Sequence, residues 1–159
     1  MFDVTPYTTD RETACGPACL QMLLDFYGIQ VDQKTLVDEC GVGVAGCSGA
    51  DLLRVGRLHG LPDVTAYSMD AAELMRQDRP AIIWWKYSHW CVFAGRDALG
   101  QAVICNPSMG RFSIDAGTFA ALFCQVSIFN GEPHDLPDPE PDDTADLAEA
   151  ARILLGVSE

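Results

Sequence analysis

Three side chains of this sequence have the types and the order that covalent catalysis needs: Cys15, His89 and Asn106. Cys15 lies in the segment ETACGPACLQMLLDFYG, Glu12 to Gly28, where a helix is expected to begin. A helix N-terminus carries roughly +0.5 charge from its unpaired N–H groups, which favours a thiolate over a thiol. His89 opens an expected strand, and Asn106 ends the next one, directly before Pro107. The residue before a proline is pushed to extended geometry, so Asn106 is expected to project from a strand end. If these strands form an antiparallel hairpin, the start of one lies beside the end of the other. Asn106 would then hold the imidazole while His89 faces the sulfur. A thiolate–imidazolium pair lowers a cysteine pKa, and the third group fixes the ring. Each residue alone has a plainer reading: a small buried hydrophobe, a satisfied strand histidine and a turn former.

The elements that must position this trio follow from periodicity and punctuation. A first helix is expected over Pro17–Tyr27, with proline near its start, Gly28 at its stop and a buried face of Leu20, Leu23, Leu24 and Tyr27. Asp32 is placed to cap a helix reaching Cys40 before Gly41, and Ser48 one through Leu58. Asp70–Gln77 reads as a fourth short helix. The period then changes. Ala81–Trp85 is a continuous apolar run, and strands are expected at His89–Ala94, Gln101–Cys105, Phe112–Ile114 and Gln125–Phe129, with a helix over Asp115–Phe123. Helices first and meandering strands later define an α+β fold with an antiparallel sheet. Trp84, Trp85 and Trp90 lie near His89; they suit core packing, and Trp85 and Trp90 are also candidates for the wall of a substrate groove.

Composition changes at about Gly131. The stretch EPHDLPDPEPDD puts four prolines and six acids in 12 residues, the signature of an extended linker. Two units are therefore expected: a domain over 1–131 and an acidic, proline-rich arm over 132–159. Within the arm, 144–155 can form a helix striped by Leu147, Ala151, Leu154 and Leu155, which would dock on its own domain or on a partner. The net charge of −13 argues against nucleic acid or an anionic membrane surface. There is no apolar run of about 20 residues for a membrane span, and the N-terminal residues lack a secretory pattern. Seven cysteines cannot all pair within one chain, so mostly reduced thiols in a cytoplasmic protein are expected. No C-x₂-C pair marks a zinc site, so neither metal nor cofactor is expected.

The Glu12–Gly28 block resembles the nucleophile motif of papain-like peptidases that cleave double-glycine leader peptides, family thirty-nine of the cysteine peptidases. Ser48-Gly49 through Gly60-Leu61, RPAIIWWKYSHWCVFAG and VICNPSMGRFSIDAGTFAALF resemble its later blocks, in the right order, over roughly residues 8–130. The resemblance implies a papain-like fold, N-terminal helices packed on a C-terminal antiparallel sheet, with nucleophile Cys15, base His89 and orienting Asn106. It also implies a peptide or protein substrate with small residues at the cleavage point. Two departures stand out. The family has an aspartate where this chain has Asn106, although papain-like enzymes more broadly use asparagine. It also has a glutamine, an oxyanion donor, where this chain has Thr9. Three functions are therefore open: a peptidase, an acyl or amide transferase using the same thioester, and a catalytically weakened peptide-binding domain.

Overall fold

A computed structural model of the chain describes residues 1–44, 46–134 and 153. A 3₁₀ turn, Glu12–Ala14, leads directly into α1 (Cys15–Phe26). The helix thus begins on the cysteine, two residues before the expected proline start. Gly16 explains the tight entry: a Cβ there would lie 3.2 Å from the Cys47 Cβ and 3.3 Å from both Leu52 and Trp90 side chains. α2 (Gln33–Cys40) is capped by the Asp32 carboxylate accepting from the Thr35 N–H, and it stops on Gly41 in the left-handed conformation, φ 65°. α3 (Gly49–Leu58) is capped by Ser48, whose hydroxyl accepts from the Asp51 N–H at 3.2 Å. Ser48→Ala is expected to cost about 1 kcal/mol, seen as a lower urea midpoint at unchanged slope.

The sheet then assembles from β1 (Val64–Ser68), β2 (Ala81–Trp85), β3 (His89–Arg96), β4 (Ala102–Asn106), β5 (Gly110–Ile114) and β6 (Phe123–Asn130). Its order is β1-β6-β2-β3-β4-β5, every pair antiparallel. α4 (Ala71–Met75) starts on an Asp70–Glu73 capping box, and α5 (Ala116–Leu122) on the Asp115 cap. Side chains alternate across the strands as the pleat demands. Ile82, Trp90, Val92, Val103, Cys105 and Ile128 meet Leu20, Leu23, Leu24 and Leu52 in one core. Ile83, Trp85, Phe93, Ile104 and Phe129 meet Leu74 and Phe119 in the other. The N-terminal helices thus cover one face of the sheet, and α4 and α5 the other.

The capping carboxylates Asp32 and Asp115 are held below the usual carboxylate range by the N–H and hydroxyl donors of Thr35 and Thr118. A depressed carboxyl contributes stability above its unfolded value and loses it as pH falls through its folded one, so these caps weaken only in acid. His134 is exposed; its backbone N–H donates to the Gln77 Oε1 at 2.8 Å, and its ring Nε2 lies 2.7 Å from Asp78 Oδ2. The remainder of the acidic arm, with the helix expected over 144–155, lies outside the described residues, except for Ile153, which is helical and packs partly buried against the first core. Among the described residues no helix is long and apolar enough to cross a membrane.

Candidate active site

Cys15 is buried at the first position of α1, in a cavity of about 170 Å³ that it lines with Glu12, Thr13, Cys47, Trp84 and Trp90. Backbone N–H groups of Trp90, Gly16 and Cys15 itself favour the ionised form of its sulfur. The contribution of Trp90 is informative, because that residue follows His89 at the start of β3. Cys15 and Trp90 also line the same cavity.

The turn before His89 is unusual. Tyr87 and Ser88 both adopt left-handed backbone conformations, φ 69° and 57°, at a cost of about 1–2 kcal/mol per residue. The Lys86 N–H anchors the turn on the Leu122 carbonyl at 2.9 Å. This reversal sets His89 directly across from Trp85 in the β2–β3 register. His89 Nε2 lies 3.1 Å from Asn106 Oδ1. The same Oδ1 accepts the Ser108 N–H at 2.8 Å, which fixes the amide with its oxygen toward the ring. Nε2 must therefore carry the hydrogen, leaving Nδ1 as the nitrogen that can take a proton. Asn106 is buried, so little water competes for this bond. The expected pairing of His89 with Asn106 is in place. A second cavity, of about 330 Å³, is lined by Trp85, Tyr87, Ser88, His89, Asn106 and Ser108. Glu12 and Ser88 border both cavities, so the cavity of Cys15 adjoins that of His89 and Asn106.

The electrostatics differ from the sequence expectation. Burial pushes the Cys15 thiol up from its ordinary value; the three N–H groups oppose this, and the Glu12 carboxylate adds to it. Desolvation therefore outweighs the helix N-terminus at this sulfur. Alkylation of Cys15 by iodoacetamide is expected to keep accelerating as pH rises beyond the ordinary thiol value of about 8.5, with no plateau on the acid side. A plateau below neutral pH would mean a preformed ion pair instead.

Thr9 does not line either cavity. Its N–H donates to the Pro107 carbonyl at 2.8 Å, and its hydroxyl accepts the Arg11 N–H at 3.2 Å. Gln21, inside α1, accepts from Gln33 at 3.2 Å. Trp90 is buried with its indole N–H on the Cys47 carbonyl at 3.0 Å, and its ring stands 4.5 Å from Trp84. Trp85 packs against Phe119 and borders the second cavity. Among the described residues no cluster of three or more His, Cys, Asp or Glu could hold a metal. Glu12, Cys47, Val44 and Ser88 were not foreseen; they reach the site through loop geometry that no local pattern announces.

Helices over one face of an antiparallel sheet, a cysteine at the first helix start and a histidine at a central strand start make this a papain-like α+β domain. The family model for the Peptidase C39 family matches residues 5–134, and the chain belongs to that family. It is 25% identical over 124 residues to "Probable microcin-H47 secretion/processing ATP-binding protein MchF" of Escherichia coli, covering 77% of this chain and spanning 18% of that relative's length. Among solved structures, a double glycine motif protease from an AMS/PCAT transporter, in complex with the leader peptide, superposes with TM-score 0.75 at 25% identity, covering 80% of this chain and 91% of that one. The peptidase domain of Streptococcus ComA gives TM-score 0.61 at 18% identity, covering 81% and 97%. A putative C39-like peptidase from Bacillus anthracis gives 0.56 at 16%, covering 81% and 96%. The last two likenesses speak to the fold alone.

Proposed function

We propose that the chain is a cysteine peptidase that cleaves peptides after small residues, leader peptides ending in two glycines being the first candidates. Cys15 is the nucleophile, His89 the base and Asn106 the residue that orients it. The observation that carries this reading is the Asn106 oxygen, pinned by Ser108 and bonded to His89 Nε2, beside Trp90, which shares a cavity with Cys15. With burial holding the Cys15 thiol above its ordinary value, His89 Nδ1 takes its proton as the sulfur attacks the carbonyl carbon. The tetrahedral intermediate collapses to a thioester, and the imidazolium gives its proton to the leaving amine. Water, activated by the same nitrogen, then releases the acid. An amine in place of water would make the same thioester an acyl-transfer intermediate. Six buried cysteines, Cys15, Cys19, Cys40, Cys47, Cys91 and Cys105, stand as reduced thiols, which supports a reducing compartment such as the cytoplasm.

The test is incubation with a synthetic leader peptide carrying a Gly-Gly junction, followed by mass spectrometry. Two fragments divided after the second glycine are expected, with alanine-for-glycine substrates cut more slowly and bulky replacements not at all. A second reading has its own observation: the Thr9 hydroxyl is engaged by Arg11. Saturable binding of the peptide without cleavage would select that reading, a peptide-binding domain.

A further inference from the structure

Two cavities adjoin at the site, and the proposed chemistry gives each a different half of the substrate. The acyl half ends on the Cys15 sulfur, so it lies in the cavity of about 170 Å³ that Cys15 lines. The leaving nitrogen must come within hydrogen-bond reach of the His89 ring, which gives it a proton. The chain beyond that nitrogen therefore departs across the imidazole, into the cavity of about 330 Å³ that His89 lines. The leaving side has the larger space, so the limit to small residues falls on the acyl side alone.

The larger cavity has aromatic walls and balanced charge. Trp85 stands opposite His89 in the β2–β3 register, so the two side chains share one face of the sheet. Tyr87 borders the same cavity and is 91% exposed. Its backbone is left-handed, and so is that of Ser88. Glycine would hold this turn without strain, yet a tyrosine occupies it. The turn is tied at its start by the Lys86 N–H on the Leu122 carbonyl and at its end by the entry of His89 into β3. The ring is thus offered at the cavity edge on a fixed backbone, which lowers the cost of ordering it around a ligand. Two charged groups border this cavity, Glu12 and Lys86, of opposite sign. An acidic or a basic substrate side chain meets one attraction and one repulsion there, so charge selects little.

We infer that Tyr87 is a specificity residue, which selects an aromatic side chain at the substrate residue directly after the scissile bond. The inference rests on the peptidase reading, which says which half of the substrate lies over the imidazole. An aromatic ring in this cavity displaces water from the exposed face of Tyr87 and gains the edge or offset contact that ring pairs favour. An alanine in the same place leaves that face wet. Tyr87 moves no proton; it acts by holding the leaving half. Its choice therefore shows in kcat/KM and in the affinity for uncut peptide.

The experiment uses the full chain and synthetic leader peptides with a Gly-Gly junction, identical except for phenylalanine, alanine, lysine or aspartate directly after the second glycine. They compete in one reaction, and mass spectrometry follows each product. Phenylalanine is expected to lead alanine by about tenfold in kcat/KM, with lysine and aspartate close to alanine. In Tyr87→Asn, which keeps a residue that tolerates the left-handed backbone, that ratio falls toward one; in Tyr87→Phe it persists. Fluorescence anisotropy of the same peptides on Cys15→Ser reads the preference without chemistry, and adding Tyr87→Asn to that variant is expected to erase it. Equal cleavage of all four peptides overturns the inference and leaves the peptidase reading in place, as does a phenylalanine preference unchanged in Tyr87→Asn. If no peptide is cut, the peptidase reading fails and anisotropy decides the inference: a phenylalanine preference that depends on Tyr87 upholds it, and equal affinities or no binding overturn it.

Discussion

Cys15→Ser is expected to remove peptide cleavage almost completely, with kcat falling by about 10⁶-fold, the scale at which a triad nucleophile acts. His89→Ala is expected to cost about 10²–10⁴-fold in kcat, the range for one positioned general base. Neither change should raise KM substantially, because in the proposed mechanism both residues act on the reacting atoms and the cavity walls remain. The two losses should not add: once the thiol is gone the base has nothing to deprotonate. A double variant close to Cys15→Ser alone is therefore the expected result of single-turnover measurements. If His89→Ala left kcat unchanged, the bond between His89 and Asn106 would be a structural contact and the catalytic reading would fail. The direction of the Cys15 pKa makes this test sharp. A nucleophile that rests as a thiol depends on its base at every turnover, whereas a preformed thiolate would retain part of its rate without the imidazole.

The parts of the fold that could be read from the sequence are those with local causes. The caps at Asp32, Ser48, Asp70 and Asp115 each act within three residues, and the helices they start lie where expected. β2 falls on Ala81–Trp85 because a continuous apolar run between two buried cores has few alternatives. β1 was not anticipated. Val64–Ser68 is an edge strand, half-exposed over most of its length, and it exists because Val126–Asn130 supplies a partner from far along the chain. The expected helix over Asp115–Phe123 yields its last residue to β6, where Phe123 stacks on Phe119.

The site divides in the same way. The meeting of His89 with Asn106 was legible because a hairpin and a proline fix it locally. The seat of Cys15 was not. That Trp90, Cys47 and Glu12 share its cavity depends on how α1 crosses the sheet and how the loop after α2 returns. The left-handed Tyr87 and Ser88 carry no sequence signal either, since neither is glycine; the anchoring of Lys86 on Leu122 enforces them. Burial of Cys15 reverses the sign of the expected pKa shift because desolvation is a property of the packed molecule, invisible to a helix-terminus argument.

Thr9→Gln is the substitution expected to raise activity. In the family pattern the residue six before the nucleophile donates an amide N–H to the oxyanion. Here that position is a threonine whose hydroxyl already accepts from Arg11 and which lines neither cavity. The oxyanion would then rest on backbone N–H groups at the helix start, that of Cys15 among them. Losing one such donor costs about 10²–10³-fold in kcat, so restoring it is expected to gain about 10²-fold. The gain should appear in kcat with KM nearly constant, because the donor engages the charge that develops in the transition state and not the ground-state carbonyl. The backbone favours the replacement: the Thr9 N–H is already anchored on Pro107, the residue after Asn106, so the segment is held beside the site before any side chain is changed. Loss of the Thr9–Arg11 contact, a half-exposed turn, costs little by comparison. Steady-state cleavage of the Gly-Gly leader peptide by the parent and Thr9→Gln chains decides the matter. A large rise in kcat identifies the natural chain as a peptidase held to a low rate by one missing donor. Equal and negligible rates, with peptide still bound, identify a domain whose fold is kept for binding and whose nucleophile no longer completes the reaction.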